Sequence, residues 1–303
     1  MSKIIPRKVG NNGKIVKLGA NSTFIDPVLK IISNRLKKRK KTFIVTPNPE
    51  FLVFAQQNSW FKSILNKADI AIPDGVALLW AQEVIKGRNF LSRMMIGFWA
   101  GLKVIFTGWG RRRITGTDLM EKLCQLAAKN NWMVYFLGGK DDIGQKALVK
   151  LQEKYPGLKG WAEAGPKLEL KVRDTSDGGR PSLRGHDSSE VSKWIEKINQ
   201  RKPDLLFVAF GMGKQEKFIW DNWDSLNVKL AMGVGGAFDY LSGWVKRAPR
   251  WVQNLGFEWF YRLIKQPWRI RRQLTLGKFI FFSLACPEAI RPILSGIFGR
   301  LGN

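Results

Sequence analysis

The chain has 303 residues, with 51 Lys+Arg against 24 Asp+Glu, and so a formal charge of +27. At 45% apolar and 25% charged residues it is neither disordered nor fibrous, and its length suits one large α/β domain or two smaller ones. Two cysteines, Cys124 and Cys286, cannot form a disulfide framework and fit a reduced, cytosolic setting, while a single histidine, His186, argues against a His-rich metal site.

Carboxylates, amides and arginines are therefore left to carry any chemistry. The charge predicts attraction to a polyanion, either nucleic acid or an anionic membrane face. Thirteen Trp and nineteen Phe suit a membrane interface, but they equally suit base stacking. Composition does not separate the two.

From the start, Met1 to Gly13 is basic and lacks the apolar core of a signal peptide. Residues 1–41 read as a basic N-terminal segment. Thr42–Thr46 reads as a buried strand, followed by a helix from about Pro49 to Lys67. Ala68–Ile72 is a second short strand ending at Pro73-Asp74-Gly75, and Val76 to Ile85 is helical. Leu119 to Lys129 has helical spacing, with Thr117 or Asp118 as its cap. Trp132–Leu137 is a strand running into Gly138-Gly139, with a helix opening at Asp141 and a strand at Leu158–Ala162. A helix from Ser188 to Arg201 precedes the strand Pro203–Phe210, and one from Lys214 to Trp223 precedes the strand Lys229–Val234. Short apolar strands between helices argue a Rossmann-like parallel sheet covered on both faces, spanning residues 42–243.

Two segments read as insertions, at about 86–112 and 167–187. Lys86 to Arg113 holds seven basic residues and no acid, whereas Lys167 to Asp187 reads as a solvated loop. From Lys246 to the end there are 11 Lys+Arg against 2 acids, with Trp251, Phe257, Trp259, Phe260, Tyr261 and Trp268 at near-helical spacing. Residues 244–303 thus read as a basic, aromatic, membrane-associating helical appendage. Two apolar stretches, Phe90 to Trp109 and Phe279 to Phe298, are interrupted by charge or proline and make poor membrane spans. Either suits a buried core helix or a helix lying in an interface plane.

Parallel α/β folds bind ligands outside the carboxyl ends of their strands. Those ends carry Thr46 and Asn48, Asp74, Gly138 with Gly139, Gly211 with Gly213 and Gln215, and Gly233, Gly235, Gly236 and Asp239. Each alone is an ordinary turn or cap residue; the set at one edge points to a site. Gly233-x-Gly235 meets Phe238 where a dinucleotide fingerprint needs a third glycine, which disfavours a nicotinamide or flavin cofactor. There is no Walker loop, no Gly-x-Ser-x-Gly elbow, no Cys-x-x-Cys pair and no Asp-x-Asp. A bound diphosphate would then be held by arginines and helix dipoles instead of a metal.

Seven blocks come in order: Thr46-Pro-Asn48-Pro-Glu50, Ala71-Ile-Pro-Asp74-Gly75, Arg113-Ile-Thr-Gly116-Thr-Asp118, Phe210-Gly-Met-Gly-Lys-Gln215-Glu216, Gly233-Val-Gly-Gly236-Ala-Phe-Asp239, Arg247-Ala-Pro249-Arg-Trp251 and Gly256-Phe-Glu258-Trp259-Phe-Tyr-Arg262-Leu. Together they resemble the WecG/TagA/CpsF family of glycosyltransferases, over roughly Thr42 to Gln273. The resemblance implies a membrane-associated, metal-independent, inverting transferase with no cofactor. Its donor would be a UDP-sugar, typically carrying N-acetylmannosamine. Its acceptor would be N-acetylglucosamine on a polyprenyl diphosphate, with a β-1,4 bond formed for teichoic acid, common antigen or capsule-type polymer.

By the same resemblance Asp74 is the general base, with Thr46, Asn48, Arg113 and Gln215 around it. Gly138, Gly211, Gly213, Gly233, Gly235, Gly236 and Asp239 would cradle the nucleotide sugar. Arg262, Arg269 and Arg272 would meet the lipid diphosphate, their spacings of seven and three setting them on one helical face. The implied location is peripheral, on the cytoplasmic face of an anionic membrane. Nucleic acid is not an expected partner, and a homo-oligomer is compatible with the pattern.

Overall fold

The computed structural model describes residues 25–106, 114–171, 182–184, 188–255, 257–267 and 270–302. In chain order these form α1 (Ile25–Lys37), β1 (Thr42–Val45), α2 (Pro49–Gln57), α3 (Ser59–Lys67), β2 (Ile70–Ala71), α4 (Val76–Val84), α5 (Phe90–Phe106) and α6 (Gly116–Asn130). Then come β3 (Met133–Gly138), α7 (Ile143–Lys154), β4 (Lys159–Glu163), β5 (Glu169–Lys171), β6 (Ser182–Arg184), α8 (Ser188–Gln200), β7 (Leu205–Ala209), α9 (Lys214–Asp221), β8 (Leu230–Gly233) and α10 (Ala237–Leu241). The chain closes with α11 (Arg250–Asn254), α12 (Glu258–Lys265), α13 (Ile270–Ala285) and α14 (Pro287–Gly302).

The expected parallel sheet is present, with strand order β2-β1-β8-β7-β3-β4 and every pairing parallel. Side chains alternate between its faces, as strand geometry demands. Phe43, Val45, Tyr135, Leu137, Leu206 and Val208 enter one core, while Ile44, Val134, Phe136, Leu205 and Phe207 enter the other. Burial on both faces explains why the strands are continuous apolar runs.

Several expectations change in detail. The helix expected from Pro49 to Lys67 breaks at Asn58, whose backbone is extended (φ −134°) and whose Nδ2 donates to the Phe54 carbonyl at 2.8 Å. The cap of α6 is neither Thr117 nor Asp118. It is Thr115, whose Oγ1 accepts from the Asp118 amide at 3.1 Å, because the helix begins one turn earlier at Gly116. The basic N-terminal segment contains α1, which seats Val28, Ile32 and Leu36 in the second core. The presumed solvated loop contains the antiparallel pair β5–β6.

The C-terminal helices matter most. Phe279 of α13 and Ile290, Ile293, Leu294 and Ile297 of α14 are buried in the same core as α2 and α3. The apolar run from Phe279 to Phe298 is thus a packing element of the sheet's helical layer. No single described helix is long and apolar enough to cross a membrane; α13 and α14 meet at a bend of 100°.

Candidate active site

Because all six strands run one way, their carboxyl ends form a single edge, and the candidate residues lie along five neighbours in it, β2, β1, β8, β7 and β3. At the first two, the Asp74 amide donates to the Pro47 carbonyl at 2.8 Å. This clamps the Pro-Asp-Gly turn to the Thr-Pro-Asn turn and brings Asp74, Thr46 and Asn48 together. Gly75 follows with φ +97° and an empty space where a side chain would stand. Thr46 is buried, and the first residue of α6 approaches it closely: a Cβ on Gly116 would stand 3.4 Å from Thr46 Oγ1. Asn48 spends its Oδ1 on the Phe51 amide at 3.1 Å, capping α2. Its Nδ2 end is the part left to meet a ligand.

At β7 and β8 the geometry revolves around Gln215 and Glu216, both buried. Gln215 Nε2 donates to Glu216 Oε1 at 2.7 Å, and Gln215 Oε1 accepts from the Gly235 amide at 3.0 Å. Glu216 Oε2 accepts from the Gly213 amide at 2.7 Å. One carboxylate and one amide thus tie the glycine turn after β7 to the glycine turn after β8. Gly233 has no room for more, since a Cβ there would sit 2.6 Å from Gln215 Nε2 and 2.7 Å from Glu216 Oε1. Gly211 (φ +85°) and Gly235 (φ +51°) instead face open space. Burial pushes the Glu216 carboxyl up to about 7, against the opposing pull of the bonds from Gln215 and the Gly213 amide.

Gly138 has a different reason to be glycine. A Cβ there would lie 2.8 Å from the Ala209 carbonyl oxygen, so the residue admits the close approach of β7. The Gly139 amide donates to that same oxygen at 3.2 Å and is spent inside the fold. Asp141 and Asp142 precede α7, where an incoming phosphate would meet their charge.

The tail closes over the β8 end. Arg262 lies with its guanidinium 4.8 Å from the Tyr240 ring centre and 3.8 Å from Asp239 Oδ2. A Cβ on Gly236 would meet Arg262 Nη2 at 3.0 Å. Arg262 therefore reaches the glycine turn and Asp239 directly. Lys246, Tyr261 and Lys265 line a shallow pocket beside it. Arg113, Arg269 and His186 lie outside the described residues, as does the side chain of Arg272. The single helical face expected for Arg262, Arg269 and Arg272 is not formed, because α12 ends at Lys265 and α13 starts at Ile270, leaving Arg262 and Arg272 on different helices.

Arg247, quoted in the motifs without a role, is the clasp of this arrangement. Its Nη2 donates to Asp118 Oδ2 at 3.0 Å and to Thr115 Oγ1 at 3.1 Å, and its Nη1 also pairs with Asp118. Its Nε donates to Glu258 Oε1 at 3.1 Å. Burial opposes the charge on Arg247, but the bonds to Asp118 and the charges of Asp118 and Glu258 outweigh it and raise its pKa further. Glu216 and Arg247 are the two residues not foreseen as site-builders. The signal for Glu216 was its place three residues after Gly213 at a helix start, the position from which a Glu reaches back to a cap amide.

The sequence comparisons now decide the family. The family model described as "Glycosyl transferase WecG/TagA/CpsF family" matches residues 14–292. The chain belongs to the WecG/TagA/CpsF glycosyltransferase family. Similar relatives include a protein of Bacillus spizizenii (strain ATCC 23059 / NRRL B-14472 / W23), 31% identical over 245 residues covering 81% of this chain and 79% of the relative. One of Bacillus subtilis (strain 168) is 30% identical over 236 residues, 78% and 76%. One of Staphylococcus aureus (strain MRSA252) is 27% identical over 239 residues, 79% and 78%. All three carry the name N-acetylglucosaminyldiphosphoundecaprenol N-acetyl-beta-D-mannosaminyltransferase. As a member of this family the chain is a glycosyltransferase, and the glycine-lined edge is where its substrates are expected.

Proposed function

We propose that the protein transfers N-acetylmannosamine from a UDP donor to the 4-hydroxyl of N-acetylglucosamine on a polyprenyl diphosphate, forming a β-1,4 bond in a cell-surface polymer of teichoic acid, common antigen or capsule type. The observation that carries this reading is the convergence of Asp74, Thr46 and Asn48 beside the open glycine turns of β7 and β8, in a chain whose relatives carry that activity in their name. In one step the Asp74 carboxylate takes the hydroxyl proton, the freed oxygen bonds to the anomeric carbon, and UDP leaves with the electron pair of the broken bond. Inversion follows, because attack comes from the face opposite the leaving group.

Thr46 and the free end of Asn48 orient sugar hydroxyls. Gly211 and Gly235 let the backbone approach the nucleotide diphosphate, while Gln215, engaged at both ends of its amide, keeps those two turns in register. Arg113 balances charge developing on the departing UDP. Arg262, with Arg269 and Arg272, meets the lipid diphosphate, so that the part of the tail before the buried α14 serves acceptor binding and holds the enzyme peripherally at the cytoplasmic face of the membrane. Divalent-metal independence belongs to the same proposal.

The test is UDP release from a panel of UDP-sugars, with and without a polyprenyl-diphosphate N-acetylglucosamine acceptor, repeated in EDTA. Acceptor-dependent release from UDP-N-acetylmannosamine that survives EDTA supports the reading. Asp74→Asn should slow it roughly 10²–10⁴-fold; unchanged turnover in that variant removes Asp74 from the role.

A further inference from the structure

Helix α5 breaks the usual rule for a surface helix. Its inward stripe is small and apolar: Gly97, Ala100 and Val104 are buried, and the Gly97 carbonyl accepts from Trp80 Nε1 of α4 at 2.8 Å. Its outward face is also apolar. Leu91 is 70% exposed, Phe98 62% and Phe106 78%, with Met94, Met95 and Trp99 exposed beside them. At 3.6 residues per turn these six fall within an arc of about 140°, and no charge lies inside it. A helix apolar on all sides is ordinarily enclosed. Among the described residues the helices that pack most closely on this one, α4 and α13, lie on its inner side. Single exposed apolar residues need no explanation, but a contiguous face of six large ones does.

Charge selects the occupant. From Lys86 to Arg113 there are seven basic residues and no acid; Arg88 and Lys103 stand exposed near the apolar face, as does Lys86, which pairs with Glu83 at 2.7 Å on the exposed end of α4. A second copy of this chain, meeting the face through a two-fold axis, would set basic residues against basic residues. An anionic lipid surface offers both things the face lacks, a hydrocarbon layer for the rings and negative headgroups for the rim.

We propose that α5 is a membrane-docking helix, lying in the headgroup plane of an anionic bilayer with Leu91, Met94, Met95, Phe98, Trp99 and Phe106 inserted and Lys86, Arg88 and Lys103 against the lipid charge. The surface is separate from the arginine-bearing helix α12 of the tail. It deepens the lipid-acceptor reading above, on which its biological sense rests, but the binding itself is measured without any sugar. Docking here would present the catalytic edge to an acceptor confined to the same bilayer.

The experiment is co-flotation of the full-length protein with vesicles of phosphatidylcholine containing phosphatidylglycerol, and with vesicles of phosphatidylcholine alone. The wild type is expected to float with the anionic vesicles. A Leu91→Glu, Phe98→Glu double variant is expected to partition roughly tenfold less or weaker still, with unchanged melting temperature. Both proteins should release UDP equally with a short-chain, water-soluble acceptor. As an independent readout in unmutated protein, brominated lipid should quench tryptophan fluorescence, and the quenched fraction should shrink in Trp99→Phe.

Flotation of the double variant equal to wild type, or absence of Trp99-dependent quenching, overturns the proposal. So does a wild-type dimer that the double variant dissociates while flotation stays constant, which would make the face a self-interface. Loss of UDP release with the soluble acceptor, in wild type and variant alike, would count against the transferase reading and leave the flotation result standing.

Discussion

Replacing Glu216 by Gln is the most informative single change, because it separates the electrostatic cost of that carboxyl from its geometric use. Glu216 is 1% exposed, and its pKa rises from an ordinary 4.5 to about 7. The folded state therefore holds this proton over a range where the unfolded state has lost it. Its stabilising contribution is complete below pH 4.5 and disappears as pH rises through about 7. The rise from 4.5 to about 7 corresponds to roughly 3 kcal/mol.

Glu216→Gln has no titration to contribute, so wild type should lose roughly 3 kcal/mol relative to the variant between pH 4.5 and pH 8. For a domain of this size that is a relative shift in melting temperature of roughly 6–12 °C. At low pH the variant should be the less stable protein by about 1–3 kcal/mol, since its amide nitrogen would face either the Gly213 amide or Gln215 Nε2, donor against donor. Thermal unfolding of both proteins at several pH values between 4.5 and 8.5 measures the difference curve directly. A flat difference, or one in which wild type gains on the variant as pH rises, would refute the reasoning. Activity should fall in the variant at every pH, because Gln215 loses its anchor.

Arg247→Ala leaves Asp118 and Glu258 without the cation they share; since these side chains are 39% and 15% exposed, solvent softens the loss to about 1–3 kcal/mol in a denaturant melt. The same variant should be cut faster by protease between α10 and α12, and an unchanged digestion pattern would deny the clasp its role. Gly235→Ala meets no neighbour, so only its positive φ should cost stability, about 1–2 kcal/mol; a rise in donor KM beyond that of a matched Ala control elsewhere would show that the open space holds substrate. Ile293→Ala should cost about 2–5 kcal/mol in chemical unfolding, as for any core isoleucine; a loss under 1 kcal/mol would mean α14 is not part of the core.

The strands were readable because both of their faces are buried, so TFIV, MVYFL and LLFVA stand out as unbroken apolar runs between polar turns. Thr46, Asn48 and Asp74 were readable as a group because a parallel sheet puts every strand's carboxyl end on one edge. What could not be read was which layer an apolar helix joins. Phe279 to Phe298 carries proline and arginine, as an interfacial segment would, yet its Ile290, Ile293 and Leu294 are covered by α2 and α3, some two hundred residues earlier in the chain. Helix α5 has the opposite outcome from similar composition, because among the described residues α4 and α13 pack on it from one side. The resemblance sets Gln215 beside Asp74; that its amide is used at both ends by Glu216 and Gly235 depends on a turn twenty residues further on.

The packing of α14 against α2 and α3 also has a consequence for how the protein is made. During synthesis the first half of the sheet leaves the ribosome with the apolar flank of Phe61, Ile64 and Leu65 uncovered, and the helix that covers it emerges more than two hundred residues later. Native contacts of this sequence separation form slowly, and exposed apolar surface in the meantime invites association. A nascent chain stalled before α14 should therefore be held by chaperones, and emergence of α14 should coincide with the gain of protease resistance in α2 and α3.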